Sequence, residues 1–283
     1  MSEFIKGDTA SILAWIFGAI GGFAAIWFFS EKILIAIKWF MKQLKNWIAQ
    51  FRKTSPNPFY EQGRITKPAR FFKQEALLHT IFDELGKGTN LSLIGKEKSG
   101  KSSLLYYVCH TGEKKLPHKK FIYLDMQKVH DEGDFFEALC DEIGIPNRRG
   151  SKLHKALRGK KYVLCLDNIE RMKNKLFSGD ERTELRGLAE CLDDPLTLLI
   201  ASRFPLNELF PDSPLEYSPL YGICLSKEMP PFSEAEVRTF IETRLRPTGI
   251  QFTVAEFEKV WQDSLGHPAT VQRVAKRLFE QRC

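Results

Sequence analysis

A short apolar run, residues 91–94, leads directly into Gly95-Lys96-Glu97-Lys98-Ser99-Gly100-Lys101-Ser102-Ser103, and a helical pattern starts at once with Leu104 and Leu105. This strand–loop–helix succession matches G-x-x-x-x-G-K-[ST] at every fixed position and constrains the fold more than any other feature. The glycines let the backbone curl so that successive N–H groups converge on a phosphate. Lys101 is placed to reach the β- and γ-phosphates, Ser102 offers a hydroxyl to Mg²⁺, and the helix that follows turns its positive end toward the anion. Residues 95–103 are therefore the expected ATP-binding loop.

A loop of this kind needs a carboxylate at the end of a later strand. Residues 162–166 read Tyr-Val-Leu-Cys-Leu, apolar throughout as in a strand buried on both faces, and Asp167 follows. Asp167 is the expected Walker B residue, holding Mg²⁺ together with Ser102. Asn168 and Glu170 lie within three positions after it. Further strands are expected at 121–124 and 196–201, the latter ending in Ser202 and Arg203, a polar sensor and a cation able to act on phosphate in cis or on a neighbouring copy. Helical patterns at 71–85, 134–143, 151–157 and 180–192 alternate with these strands. Such alternation predicts an α/β fold with a parallel sheet and its ligand at the strands' C-terminal edge. After residue 228 only helices are expected. One starts at a capping box, Ser233 with Glu236, a second covers 254–265, and a third begins with Pro268 in its first turn.

The N-terminal part is of another kind. Residues 9–30 carry no charge, and 22 residues at about 1.5 Å each match a bilayer's hydrocarbon thickness. A near-neutral start and the exit Trp27-Phe28-Phe29-Ser30 do not suit a cleaved signal peptide. One cation, Lys6, precedes this stretch, while Lys32, Lys38, Lys42, Lys45, Arg52 and Lys53 follow it, which places the C-terminal side in the cytoplasm. Residues 31–53 continue as a basic amphipathic helix suited to a lipid headgroup layer. Ala14, Gly18 and Gly22 form a small-residue stripe that would allow helix pairing. The net charge of +7 is concentrated here, since residues 1–60 hold seven Lys/Arg against three acidic groups. Anionic lipid is thus a nearer partner than nucleic acid. The six cysteines have no C-x-x-C spacing and read as reduced core thiols. The expected organisation is 1–54, transmembrane helix and basic helix; 55–227, P-loop α/β domain; 228–283, helical lid.

With these motifs in view, residues 57–282 resemble the AAA+/STAND class of P-loop ATPases. The resemblance rests on Asn57-Pro58-Phe59, Gly63-Arg64-Ile65 and Phe71-Phe72 ahead of the loop, on "LSLIGKEKSGKSSLL", "YVLCLDNIE" and "LLIASRFPLNELF", and on "GHPATVQRVAKRL" in the last helix. It implies a five-stranded sheet and ATP held between sheet and lid near Pro268. Ser202 would be the sensor, with Arg203 acting on phosphate. It also implies nucleotide-governed homo-oligomers that work as switches with a protein partner. Two departures stand out. Lys73 and Gln74 occupy positions where Gly and Arg are usual, and Asn168 stands where many members have a catalytic carboxylate. Asn168 implies slow hydrolysis. An initiator-type DNA-binding ATPase and a non-hydrolysing scaffold are the competing expectations.

Overall fold

The apolar runs of the sequence pair as five parallel strands. In the computed structural model, which describes residues 33–47, 56–190, 195–211 and 220–282, these are β1 (Asn90–Ile94), β2 (Lys120–Asp125), β3 (Tyr162–Asp167), β4 (Leu196–Ser202) and β5 (Cys224–Glu228). Their order is β2-β3-β4-β1-β5, so the strand that carries the P-loop lies inside the sheet, flanked by β4 and β5. Helices join them: α2 (Glu75–Lys87), α3 (Lys101–Lys115), α4 (Glu132–Ile143), α5 (Gly150–Leu157), α6 (Asp180–Ala189) and the short α7 (Leu206–Leu209). The C-terminal part consists of α8 (Glu234–Leu245), α9 (Val254–Ser264) and α10 (Pro268–Glu280).

Strand alternation explains why β3 and β4 are buried at every position and mostly apolar. Leu164, Leu166, Leu198 and Ile200 face one core, with Phe135, Phe136, Leu153 and Leu185 of α4–α6. Val163, Cys165, Leu199 and Ala201 face the other, with Leu78, Ile81, Leu104 and Val108 of α2 and α3. A sheet covered on both sides has no polar face to present.

The sequence reading missed β5. Its residues, Cys-Leu-Ser-Lys-Glu, are mostly half-exposed or exposed, because an edge strand covers only one side of its neighbour and needs no apolar run. The helical pattern at 71–85 also started too early. Phe71 and Phe72 precede α2: the first stacks on Tyr107 at 4.7 Å between ring centroids, and the second meets Phe232 edge-on at 5.1 Å. The C-terminal helices start where expected. Ser233 and Glu236 form the reciprocal capping box of α8, Thr253 and Glu256 do the same for α9, and Pro268 opens α10.

The chain divides into two units, Met1–Pro56 with Thr248–Ile250 and Cys283, and Asn57–Pro247 with Gln251–Arg282. In the first, residues 33–47 form one helix, α1, whose large apolar side chains, Trp39, Phe40 and Trp47 among them, are exposed. Among the described residues no helix is long and apolar enough to cross a membrane. The expected span at 9–30 lies outside the described residues, as do Arg52 and Lys53.

Candidate functional site: a phosphate cradle beside a buried carboxylate

At the C-terminal edge of β1 the backbone turns over itself. Gly95 N–H bonds the Ser202 carbonyl at 3.1 Å, Lys98 and Gly100 take left-handed conformations (φ 59° and 100°), and α3 starts at Lys101. A Cβ on Gly95 would stand 2.8 Å from Ser99 Oγ and 2.9 Å from Met229 Cβ, so only glycine fits there. No side chain caps the N-terminus of α3, so its first N–H groups are left for an anion. Lys101 Nζ donates to the Gly95 and Lys96 carbonyls at 2.6 and 2.9 Å, which holds the ammonium along the loop. Burial keeps that ammonium below its ordinary pKa, although Glu170 and Asp167 pull it upward. A nearby anion would favour its charged form. Glu97 and Lys98 are exposed, and Ser99 is buried with its hydroxyl unpartnered.

The two residues expected to hold Mg²⁺ are brought together. Ser102 Oγ donates to Asp167 Oδ1 at 3.0 Å, joining the first turn of α3 to the end of β3. Asp167 is 2 % exposed, and burial pushes its carboxyl above the ordinary value, against the pull of Tyr123 and Ser102. A buried carboxylate and a hydroxyl side by side, next to a phosphate cradle, are oxygen donors suited to a hard cation. The residues present thus fit a nucleotide with its Mg²⁺.

The other expected residues divide. Asn168 (φ 57°) donates its amide to Asp125 Oδ1 at 3.0 Å, and the Glu170 carboxylate accepts the Arg203 backbone N–H at 2.5 Å, with Arg203 Nε 3.6 Å away. Both line the cleft, as do Arg203 and Pro268. Ser202 does not; it is fully buried at the end of β4, its hydroxyl unpartnered. Ser103 also lines the cleft, and its hydroxyl accepts the Ile65 N–H at 3.0 Å. His267, just before Pro268, lies 3.1 Å through Nε2 from the Glu97 carbonyl, bringing the helical part against the P-loop.

The segment ahead of α2 supplies what sequence reasoning left out. Arg64 Nη1 donates to Asp125 at 3.0 Å and to the Tyr123 hydroxyl at 2.5 Å, and Tyr123 in turn donates to Asp167 Oδ2 at 2.6 Å. Burial opposes the Arg64 charge, but Tyr123 and Asp125 outweigh it and hold the guanidinium above its ordinary value. Burial and Asp167 raise the Tyr123 phenol, so it stays a donor. The only sequence signal for this set was the quoted Gly63-Arg64-Ile65. Tyr123 sits two register steps from the Asp125–Asp167 pair, and nothing local marks it. The same segment is bound to the helical part. Glu61 accepts from Arg70 and lies 3.5 Å from Arg244, Gln272 donates to the Glu61 carbonyl, and Asn57 donates to the Lys276 carbonyl at 3.2 Å. The resulting cleft encloses about 1170 Å³ between the P-loop, this segment and α10.

No protein-family model matches the chain, and no curated protein does. Solved structures do match. The Walker-type ATPase PABY2304 of Pyrococcus abyssi superposes with a TM-score of 0.61 at 16% identity, over 80% of this chain and 72% of that one. Orc1 of Aeropyrum pernix, solved with DNA, gives 0.57 at 16% over 80% and 64%, and a RuvB variant of Thermotoga maritima gives 0.50 at 18% over 77% and 65%. The chain spans slightly less than two thirds of the Orc1 and RuvB chains. At such identities the likeness concerns the fold. The protein shares the fold of these structures, an AAA+-like α/β fold with a five-stranded parallel sheet.

Proposed function

We propose that this chain binds ATP·Mg²⁺, hydrolyses it slowly, and works as a nucleotide-dependent switch held at the cytoplasmic face of a membrane. The observation that carries the reading is the Ser102–Asp167 hydrogen bond, which joins residues 65 apart in sequence at the mouth of the phosphate cradle. Lys101 and the N-terminus of α3 would hold the phosphates, with Ser102 and Asp167 holding the ion. When bound, that ion neutralises charge on the phosphates. Slow turnover follows from the carboxylates. The Asn168 amide cannot accept a proton, and it is engaged with Asp125. Glu170 remains as the base, but it must first release the Arg203 N–H. Arg203, whose side chain is 53 % exposed, would leave Glu170 to reach a nucleotide on a neighbouring copy in a homo-oligomer. The tether is residues 9–30, and α1, with its exposed apolar side chains and Lys38, Lys42 and Lys45, lies along anionic headgroups.

ATP binding and single-turnover hydrolysis test the first part. Wild type should bind ATP with Mg²⁺ and turn over slowly, and Glu170→Gln should lower turnover by about 10²–10⁴-fold with affinity unchanged. Absence of ATP binding overturns the reading. Carbonate washing of membranes tests the tether, which fails if the chain is released without detergent.

A second reading, a DNA-binding ATPase, draws on the likeness to Orc1 solved with DNA. Duplex binding by the full chain that weakens steeply with salt would favour it.

A further inference from the structure

We propose that Tyr123, backed by Arg64, is a positioning residue that aims the Asp167 carboxylate at the Mg²⁺ of the bound nucleotide. The inference rests on the reading of Ser102 and Asp167 as the ion's ligands. The two oxygens of Asp167 are divided between two tasks. Oδ1 faces Ser102 and also accepts the Asn168 N–H, each at 3.0 Å, while Oδ2 accepts the Tyr123 hydroxyl at 2.6 Å. A carboxylate can rotate about its Cβ–Cγ bond, and one directional bond to Oδ2 fixes which oxygen meets the metal side. The phenol has a single proton to give. Arg64 donates into the same phenolic oxygen, so that proton is committed to Asp167.

The register makes the need plain. β2 and β3 pair so that Asp125 and Asp167 lie side by side at the sheet edge. Two adjacent carboxylates repel, and Asp167 is almost fully buried. Arg64 answers this with a 3.0 Å ion pair to Asp125, and its guanidinium lies over the Tyr123 ring, 4.9 Å from the centroid. Its distance to Asp167 Oδ2 is 3.9 Å, so it acts on that carboxylate chiefly through the tyrosine. Arg64 belongs to the segment that also carries Glu61 against Arg244 and α10. Divalent-cation affinity is therefore set by a segment outside both Walker motifs.

The test is nucleotide affinity of the full chain as a function of Mg²⁺, and again in EDTA. Tyr123→Phe keeps the ring and removes the hydroxyl. It should raise the Mg²⁺ concentration for half-maximal enhancement of ATP binding by about 10–100-fold, the usual loss when a partner behind a metal ligand is removed. Metal-free nucleotide affinity should not change, and the melting temperature without nucleotide should fall only by the small amount expected for one lost hydrogen bond. Arg64→Gln should shift the Mg²⁺ requirement in the same direction by less, and it guards against a folding defect at position 123. An unchanged Mg²⁺ requirement in both variants overturns the proposal, as does a parallel loss of metal-free affinity, which would mean a structural role only. If wild type binds no nucleotide under either condition, the ATP reading itself falls.

Discussion

The P-loop and the segment before α2 serve one cleft by opposite means. Residues 95–103 act through consecutive backbone groups, and the conformations that matter, at Gly95, Lys98 and Gly100, lie within six positions. Residues 57–65 act through side chains that reach far along the chain: Arg64 to residues about 60 positions away and Asn57 to Lys276, 219 positions away. Local chemistry leaves a motif because spacing is the mechanism. Non-local chemistry leaves at most a short string such as Gly63-Arg64-Ile65, which does not say what Arg64 reaches.

The largest effect should come from the non-local side. Phe59 is 1 % exposed among Phe240, Phe252 and Phe279, with centroids 6.1–6.5 Å away. Phe59→Ala should cost about 3–5 kcal/mol of stability, read from denaturation midpoints. An unchanged midpoint would mean that the segment merely rests on the helices, and the contrast would collapse. On the local side, Lys101→Ala should weaken ATP binding roughly 100-fold by loss of a charged donor to phosphate, while the melting temperature without nucleotide stays near wild type. Equal ATP affinity would remove the P-loop from the argument. Third, Asn168→Glu sets a second carboxylate against Asp125. It should lower stability by roughly 1–2 kcal/mol without raising turnover, and faster hydrolysis would show that position 168 faces the reacting phosphate after all. The smallest effect is a purely local one: Ser233→Ala removes half of the α8 capping box and should cost about 1 kcal/mol.

Legibility in the sequence follows the same division. The P-loop, β3 with its terminal Asp167, and the starts of α8 and α10 could be read because each is fixed by neighbours in sequence. Edge strand β5 could not, since its exposed face removes the apolar signature. Phe71 and Phe72 imitated a helix start because two aromatics destined for different partners fall at helical spacing with α2. Arg64 stands in the quoted Gly63-Arg64-Ile65, but its partners lie about 60 positions away, and Tyr123 carries no local mark. Asn168 was noticed as a missing carboxylate, but its actual partner, Asp125, is known only once β2 and β3 are set side by side.

The position of β5 has a mechanical consequence. Only residues 229–233 separate its last residue from the first of α8. Fully stretched, five residues reach no more than about 17–18 Å. Part of that length is already pinned, Met229 by its N–H to the Ile94 carbonyl and Phe232 by its N–H to the Gly266 carbonyl, where a glycine at φ 76° leaves no space for a Cβ. The C-terminal helices are thus on a short leash fastened beside the phosphate loop. Any displacement of them would tug first on the strand next to β1.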